Sequence, residues 1–149
     1  MVQGHINRQP LLDIVFTDKT KPAAGPFASV KEFHDWLSSL TKRGMEIHWP
    51  DPSMIPDFSR DLLPDDSPIT FTHGDLHPSN VLVSANEPCR IVAIIDWHQS
   101  GWYPDYWEYC KTVFTAEPGG EWETVYVPRI LGVAKCYDAW AYYPRSLGY

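Results

Sequence analysis

Residues 71 to 83, Phe-Thr-His-Gly-Asp-Leu-His-Pro-Ser-Asn-Val-Leu-Val, constrain this chain more than any other stretch. Ile69 and Phe71 alternate with Thr70 and Thr72 before a polar knot. Val81-Leu82-Val83 then leads to a second apolar run, Ile91-Val92-Ala93-Ile94-Ile95, which ends at Asp96. This pattern predicts strand, tight loop, strand, turn, strand, with the polar residues held at the joints.

The polar spacing in the knot points to a chemistry. His73, Asp75 and Asn80 form HxDxxxxN. A carboxylate followed five residues later by an amide, across a proline-containing loop, suits convergence on one substrate oxygen and one metal ion. Phosphoryl-transfer sites are built this way: one carboxylate takes the proton of the attacking hydroxyl, while an amide and a second carboxylate hold magnesium on the nucleotide phosphates. Asp75 is then the expected base, and Asn80 and Asp96 the expected metal ligands. A rival reading stays open. His73, Asp75 and His77 alternate, so with Asp96 and His98 they could ligate a transition metal in a hydrolase site. Pro78-Ser79-Asn80, which a His/Asp metal site does not need, favours phosphotransfer. A third possibility is a site that keeps the shape without turnover.

His-Gly-Asp-Leu-His-Pro-Ser-Asn-Val-Leu-Val, Ile-Ile-Asp-Trp and Gly101-Trp102-Tyr103-Pro104 resemble the aminoglycoside phosphotransferase and choline kinase group of protein-kinase-like enzymes, and residues 69 to 116 resemble its fungal branch. The resemblance implies an α+β fold: a mainly helical C-terminal lobe of the protein-kinase-like fold, with a small β element carrying the catalytic and metal-binding loops. It implies ATP as phosphate donor, Mg2+ as cofactor and a small-molecule hydroxyl acceptor, with Asp75 catalytic and Asn80 and Asp96 on the metal. It also implies that His73 braces the backbone around Asp96, and that His98 stands where many relatives carry a second acidic residue. Gly74 is expected to let the backbone bend where a Cβ would crowd the acceptor hydroxyl. His77 is expected at the pocket rim. Trp102, Tyr103 and Glu108, close in sequence to the active loop, are candidates for contacting the acceptor.

Such kinases have two lobes, and only the second is visible. No GxGxxG or GxxxxGK[ST] loop occurs in the chain, and Lys135 follows the catalytic loop in a helical context unsuited to a nucleotide lysine. The expectation is a single lobe over residues 1–149 with the N-terminal nucleotide-binding lobe absent, inactive or weakly active as it stands. The alternative is a non-catalytic remnant or binding module. An exposed lobe face would then favour a separate N-terminal lobe or self-association as partner.

Composition narrows the remaining classes. An apolar share of 44% with 14% aromatics excludes a disordered chain, and no apolar run is long enough to cross a bilayer. The start of the chain lacks a secretory pattern, so a cytoplasmic location is expected. A net charge of -7 argues against nucleic acid, which needs clustered Lys and Arg. Cys89, Cys110 and Cys136 are odd in number and widely spaced, suggesting buried reduced thiols.

Elsewhere, residues 1 to 28 read mainly as loop, with Leu11 to Phe16 pairing as a strand or covering a core edge. Ser29 and Glu32 form a capping box opening a helix whose stripe is Phe33, Trp36, Leu37 and Leu40, with Gly44 as its stop and His34 off the stripe in solvent. Five prolines between Met45 and Pro68 predict a surface connection packed by Trp49, Ile55 and Phe58. The run after Gly101 predicts a helix with Pro104 in its first turn and Trp107, Cys110 and Phe114 on one stripe. Residues 121 to 143 predict a helix broken near Pro128, with Val133, Cys136, Tyr137 and Trp140 closing the core.

Overall fold

The computed structural model describes residues 4–17, 21–43, 45, 48, 51 and 54–149. Helix α1 (Val30–Arg43) starts where the sequence predicts. Ser29 Oγ accepts from Glu32 N at 3.1 Å, and Glu32 Oε2 accepts from Ala28 N at 2.7 Å, so both partners of the box satisfy amides that the first turn leaves unpaired. Phe33, Leu37 and Leu40 are buried. Gly44 and Trp49 lie outside the described residues.

The strands form two small antiparallel pairs. β1 (Ile69–Thr72) pairs with β4 (Gly101–Pro104), and β2 (Val81–Val83) pairs with β3 (Ile91–Ile94). Gly4 bridges to Trp102 on the outer side of β4. Residues 101–104 are therefore strand, and helix α2 (Trp107–Thr115) begins later than expected. Extended backbone suits Pro104, whose missing N–H costs nothing at a strand end. α3 (Val127–Leu131) follows a π-helical turn at Trp122–Tyr126, with Pro128 in its first turn instead of breaking a longer helix. α4 (Tyr137–Ser146) closes the chain. The result is an α+β fold, and among the described residues no helix is long and apolar enough to cross a membrane.

The core sits between α1, α2 and α4 and is largely aromatic. Trp107 stacks on Tyr103 at 5.2 Å and meets Phe33 and Trp140 edge-on at 5.2 and 5.3 Å. Leu11, Val15 and Phe16 cover one edge without forming a strand. Phe58 and Val133 were expected inside but are exposed. Phe58 sits in a turn and Val133 in the loop before α4, so neither follows the buried face of a helix.

Two polar networks run through this core. Asp13, fully buried, accepts from Lys111 Nζ at 2.9 Å, Trp107 Nε1 at 2.9 Å and Val15 N at 2.9 Å. Gln99 Oε1 completes the cluster by accepting from Lys111 Nζ at 3.2 Å and Ile14 N at 3.0 Å. The second network corrects the reading of His34, which is 0% exposed. Its Nδ1 donates to Asp65 Oδ1 at 2.7 Å and its Nε2 accepts from the Tyr106 hydroxyl at 2.6 Å, while Arg60 bonds both Asp35 and Asp65. The helical stripe is wider than four apolar positions because these partners satisfy both ring nitrogens.

Burial holds the His34 pKa below its ordinary 6.5, outweighing the Asp65 hydrogen bond that pulls it up. An unfolded chain therefore takes up a proton near pH 6.5 that the folded chain refuses until lower pH. Stability from this group is complete above that value and declines as pH falls through the folded pKa. The urea midpoint is expected to be lower at about pH 5 than at about pH 7.5, and lower by less in His34→Gln. Equal midpoints at the two pH values in the parent chain would contradict a buried neutral imidazole.

Candidate active site

The polar knot is a short excursion from the end of β1 to the start of β2. Gly74 turns it with φ +79°, and a Cβ there would meet the Gln99 carbonyl oxygen at 2.7 Å. The glycine is thus required by the backbone of the neighbouring segment, and its crowding partner is not a substrate hydroxyl. Pro78–Asn80 forms a 3-10 turn, and His77 Nδ1 stands 2.8 Å from Ser79 Oγ and accepts from Ser79 N at 3.3 Å. His77 caps that turn from a half-buried position.

A closed circuit of hydrogen bonds holds the knot against the end of β3. The Asp75 amide donates to His73 Nδ1 at 3.2 Å, and His73 Nε2 donates to the Ile95 carbonyl at 2.9 Å. Ile95 N in turn donates to the Asn80 carbonyl at 2.9 Å, and Asn80 Nδ2 donates to the Asp75 carbonyl at 2.9 Å. Both nitrogens are so engaged, Nδ1 as acceptor and Nε2 as donor. Asp75, Asn80 and the residue before Asp96 are locked to one another through this circuit.

The side chains that remain point to oxygen chemistry. Asn80 Nδ2 stands 3.4 Å from Asp75 Oδ2, so the amide turns its nitrogen toward Asp75 and leaves Oδ1 as an acceptor. Asp96 is exposed and adopts φ 62°, ψ 59°, a left-handed conformation uncommon outside glycine, and its carboxylate does not cap the turn it begins. The Asn80 amide oxygen and the Asp96 carboxylate are hard oxygen donors of the kind magnesium takes, so their chemistry fits that cation. The transition-metal alternative finds no such support: among the described residues no three His, Cys, Asp or Glu side chains are placed to hold a metal. His73 spends its nitrogens on backbone, and His77 engages Ser79.

Of the three acceptor candidates, Tyr103 is fully buried, stacked on Trp107, and donates its hydroxyl to the Gln99 carbonyl at 3.3 Å. It cannot touch an acceptor without unpacking the core. Trp102 is half-buried and packs edge-on against Phe71 at 5.5 Å. Glu108 lies behind the loop, where Oε2 accepts from His73 N at 2.5 Å and Oε1 from Gly74 N at 3.1 Å. Burial holds its pKa above the ordinary carboxylate value, and those two amides offset only part of the rise. Its carboxylate holds the loop from the first turn of α2.

Sequence reasoning missed two participants. Gln99 ties the Asp96 segment to the buried Asp13–Lys111 pair. Trp97 packs on His73 at 4.5 Å and on Phe71 at 5.9 Å, while its Nε1 donates to the Ile94 carbonyl at 2.8 Å. No local pattern marks Gln99. Trp97, directly after the acidic residue, was visible but had no assigned partner.

The model of the phosphotransferase enzyme family matches residues 57–143; the chain belongs to that family and carries a phosphotransferase-type domain. No curated protein and no solved structure matches it.

Proposed function

We propose that this chain is the catalytic lobe of a kinase-like phosphotransferase, moving the γ-phosphate of ATP to a hydroxyl of a small-molecule acceptor. The observation that carries this reading is the circuit joining Asp75, Asn80 and the backbone of Ile95, because it sets three oxygen-bearing side chains on adjoining segments. Asp75 orients the acceptor hydroxyl and takes its proton as that oxygen attacks the γ-phosphorus and the bond to the leaving ADP oxygen breaks. Asn80 and Asp96 would hold magnesium, which supplies neutralising charge on the phosphates when bound. His73 and Glu108 keep the loop from shifting under Asp75, and positioning of this kind supplies much of the catalysis in phosphoryl transfer.

The second reading, a non-catalytic binding module, is favoured by one observation: the loop is held by Glu108, His73 and backbone groups and does not rely on the acids. Calorimetric titration with ATP separates the two. The catalytic reading expects saturable binding that weakens by about tenfold or more when magnesium is withdrawn or when Asn80→Ala removes a ligand oxygen. Binding indifferent to both changes, or no binding, would leave the module reading in its place.

A further inference from the structure

Where β1 and β4 end away from the catalytic loop, the surface opens into a cavity of about 540 Å³, an ordinary volume for a small-molecule site. Ser67, just ahead of β1, and Asp105, just after β4, both line it, and Asp105 N donates to the Pro68 carbonyl at 2.8 Å across that end of the ladder. The loop that carries His73 and Asp75 leaves β1 at the other end. Strands of this length put about 10 Å between the two places, so the cavity is separate from the candidate active site.

The cavity wall is apolar with its charges set apart. Leu62 and Val133, each 67% exposed, contribute large apolar side chains to it, and Tyr109 an aromatic ring. Asp105, Lys135 and Asp138 supply the charges, and among the described residues none of the three makes a side-chain hydrogen bond or ion pair. Helices α2 and α4 both begin in this wall, at Tyr106 and Cys136, and neither of those residues caps its helix with a side chain. Each helix start acts as roughly half a positive charge. Two carboxylates therefore face one ammonium and two positive helix ends, which leaves the wall near neutral with both signs on offer. A pure cation or a pure anion meets as much repulsion as attraction there. A molecule carrying both charges does not.

We propose that this cavity binds an α-amino acid with an apolar side chain. The carboxylate of the ligand pairs with Lys135 and the amides at the start of α4, and its ammonium with Asp105 and Asp138. Its side chain covers Leu62, Val133 and the Tyr109 ring, which removes from water apolar surface that the fold alone leaves uncovered. The site is independent of the phosphotransfer reading, because none of its residues belongs to the catalytic loop.

Calorimetric titration of the full chain with L-phenylalanine is expected to give saturable binding. Binding is expected to be weaker by about tenfold or more for phenethylamine, which lacks the carboxylate, and for 3-phenylpropionate, which lacks the ammonium. Asp105→Asn combined with Asp138→Asn, and separately Lys135→Gln, are expected to weaken L-phenylalanine binding by a similar factor; all three residues are exposed, and the urea midpoint of each variant checks that the fold is kept. Asp75→Asn is expected to bind the amino acid as the parent chain does, which separates this cavity from the acceptor position beside the loop. No saturation up to about 10 mM, analogues that match L-phenylalanine, or binding lost in Asp75→Asn and kept in the cavity variants would overturn the proposal.

Discussion

Asp13→Ala is expected to cost about 3–5 kcal/mol of folding stability, because it strands the Lys111 ammonium in the core without a counter-charge. Asp13 is the centre of a cluster in which every partner is buried or backbone: Lys111 Nζ, Trp107 Nε1 and Val15 N all donate to it. Lys111 is 2% exposed and, among the described residues, retains only the Gln99 amide oxygen once the carboxylate is gone. A domain of this size commonly has about 5–15 kcal/mol in total, so the loss consumes a large share. Replacing the pair together, Asp13→Leu with Lys111→Met, is expected to recover most of the deficit, since two apolar side chains remove both desolvation penalties. Recovery stops short of complete because the Trp107 indole N–H stays unpaired, at a cost of about 1–3 kcal/mol. Urea unfolding of the two variants reads these values directly. A loss under about 1 kcal/mol for Asp13→Ala would show that the pair is not shielded from water as the structure has it.

For Asp75→Asn, a drop in phosphotransfer of about a hundredfold to ten-thousandfold is expected, the usual range for removing a general base. The substitution keeps the shape of the side chain and removes only its ability to accept a proton. The carboxylate makes one long contact, to Asn80 Nδ2, while the fold relies on Asp75 through its backbone. The variant is therefore expected to unfold at the same urea concentration as the parent. Transfer from ATP to a panel of small hydroxyl compounds, with hydrolysis to water as a baseline, supplies the rate. Undiminished turnover would remove Asp75 from the mechanism.

The candidate residues were easier to pick out in the sequence than the groups that support them. His73, Asp75, Asn80 and Asp96 announce themselves because they stand at fixed offsets in the short connections between apolar strands. The strand order is another matter. β1 takes β4 as its partner, and Gly101–Pro104 reads locally as the approach to a helix because a proline stands before Asp105 and Trp107. Only a partner some thirty residues upstream makes it a strand. The same holds for His34, whose bonds to Asp65 and Tyr106 lie 31 and 72 positions away, and for Asp13, whose lysine lies 98 positions away. A short window shows a polar residue on a helix or in a loop, which usually means solvent. Glu108 was noticed for its nearness to the loop, but its role depends on which face of α2 meets the backbone at His73 and Gly74.

The loop is framed mostly by amide and carbonyl groups, one imidazole and one half-buried glutamate, whereas the acids at Asp75 and Asp96 contribute little to its frame. Architecture and reactivity can accordingly drift apart in descendants of such a chain. A lineage could exchange either acid and still present an intact surface to whatever recognises its outline.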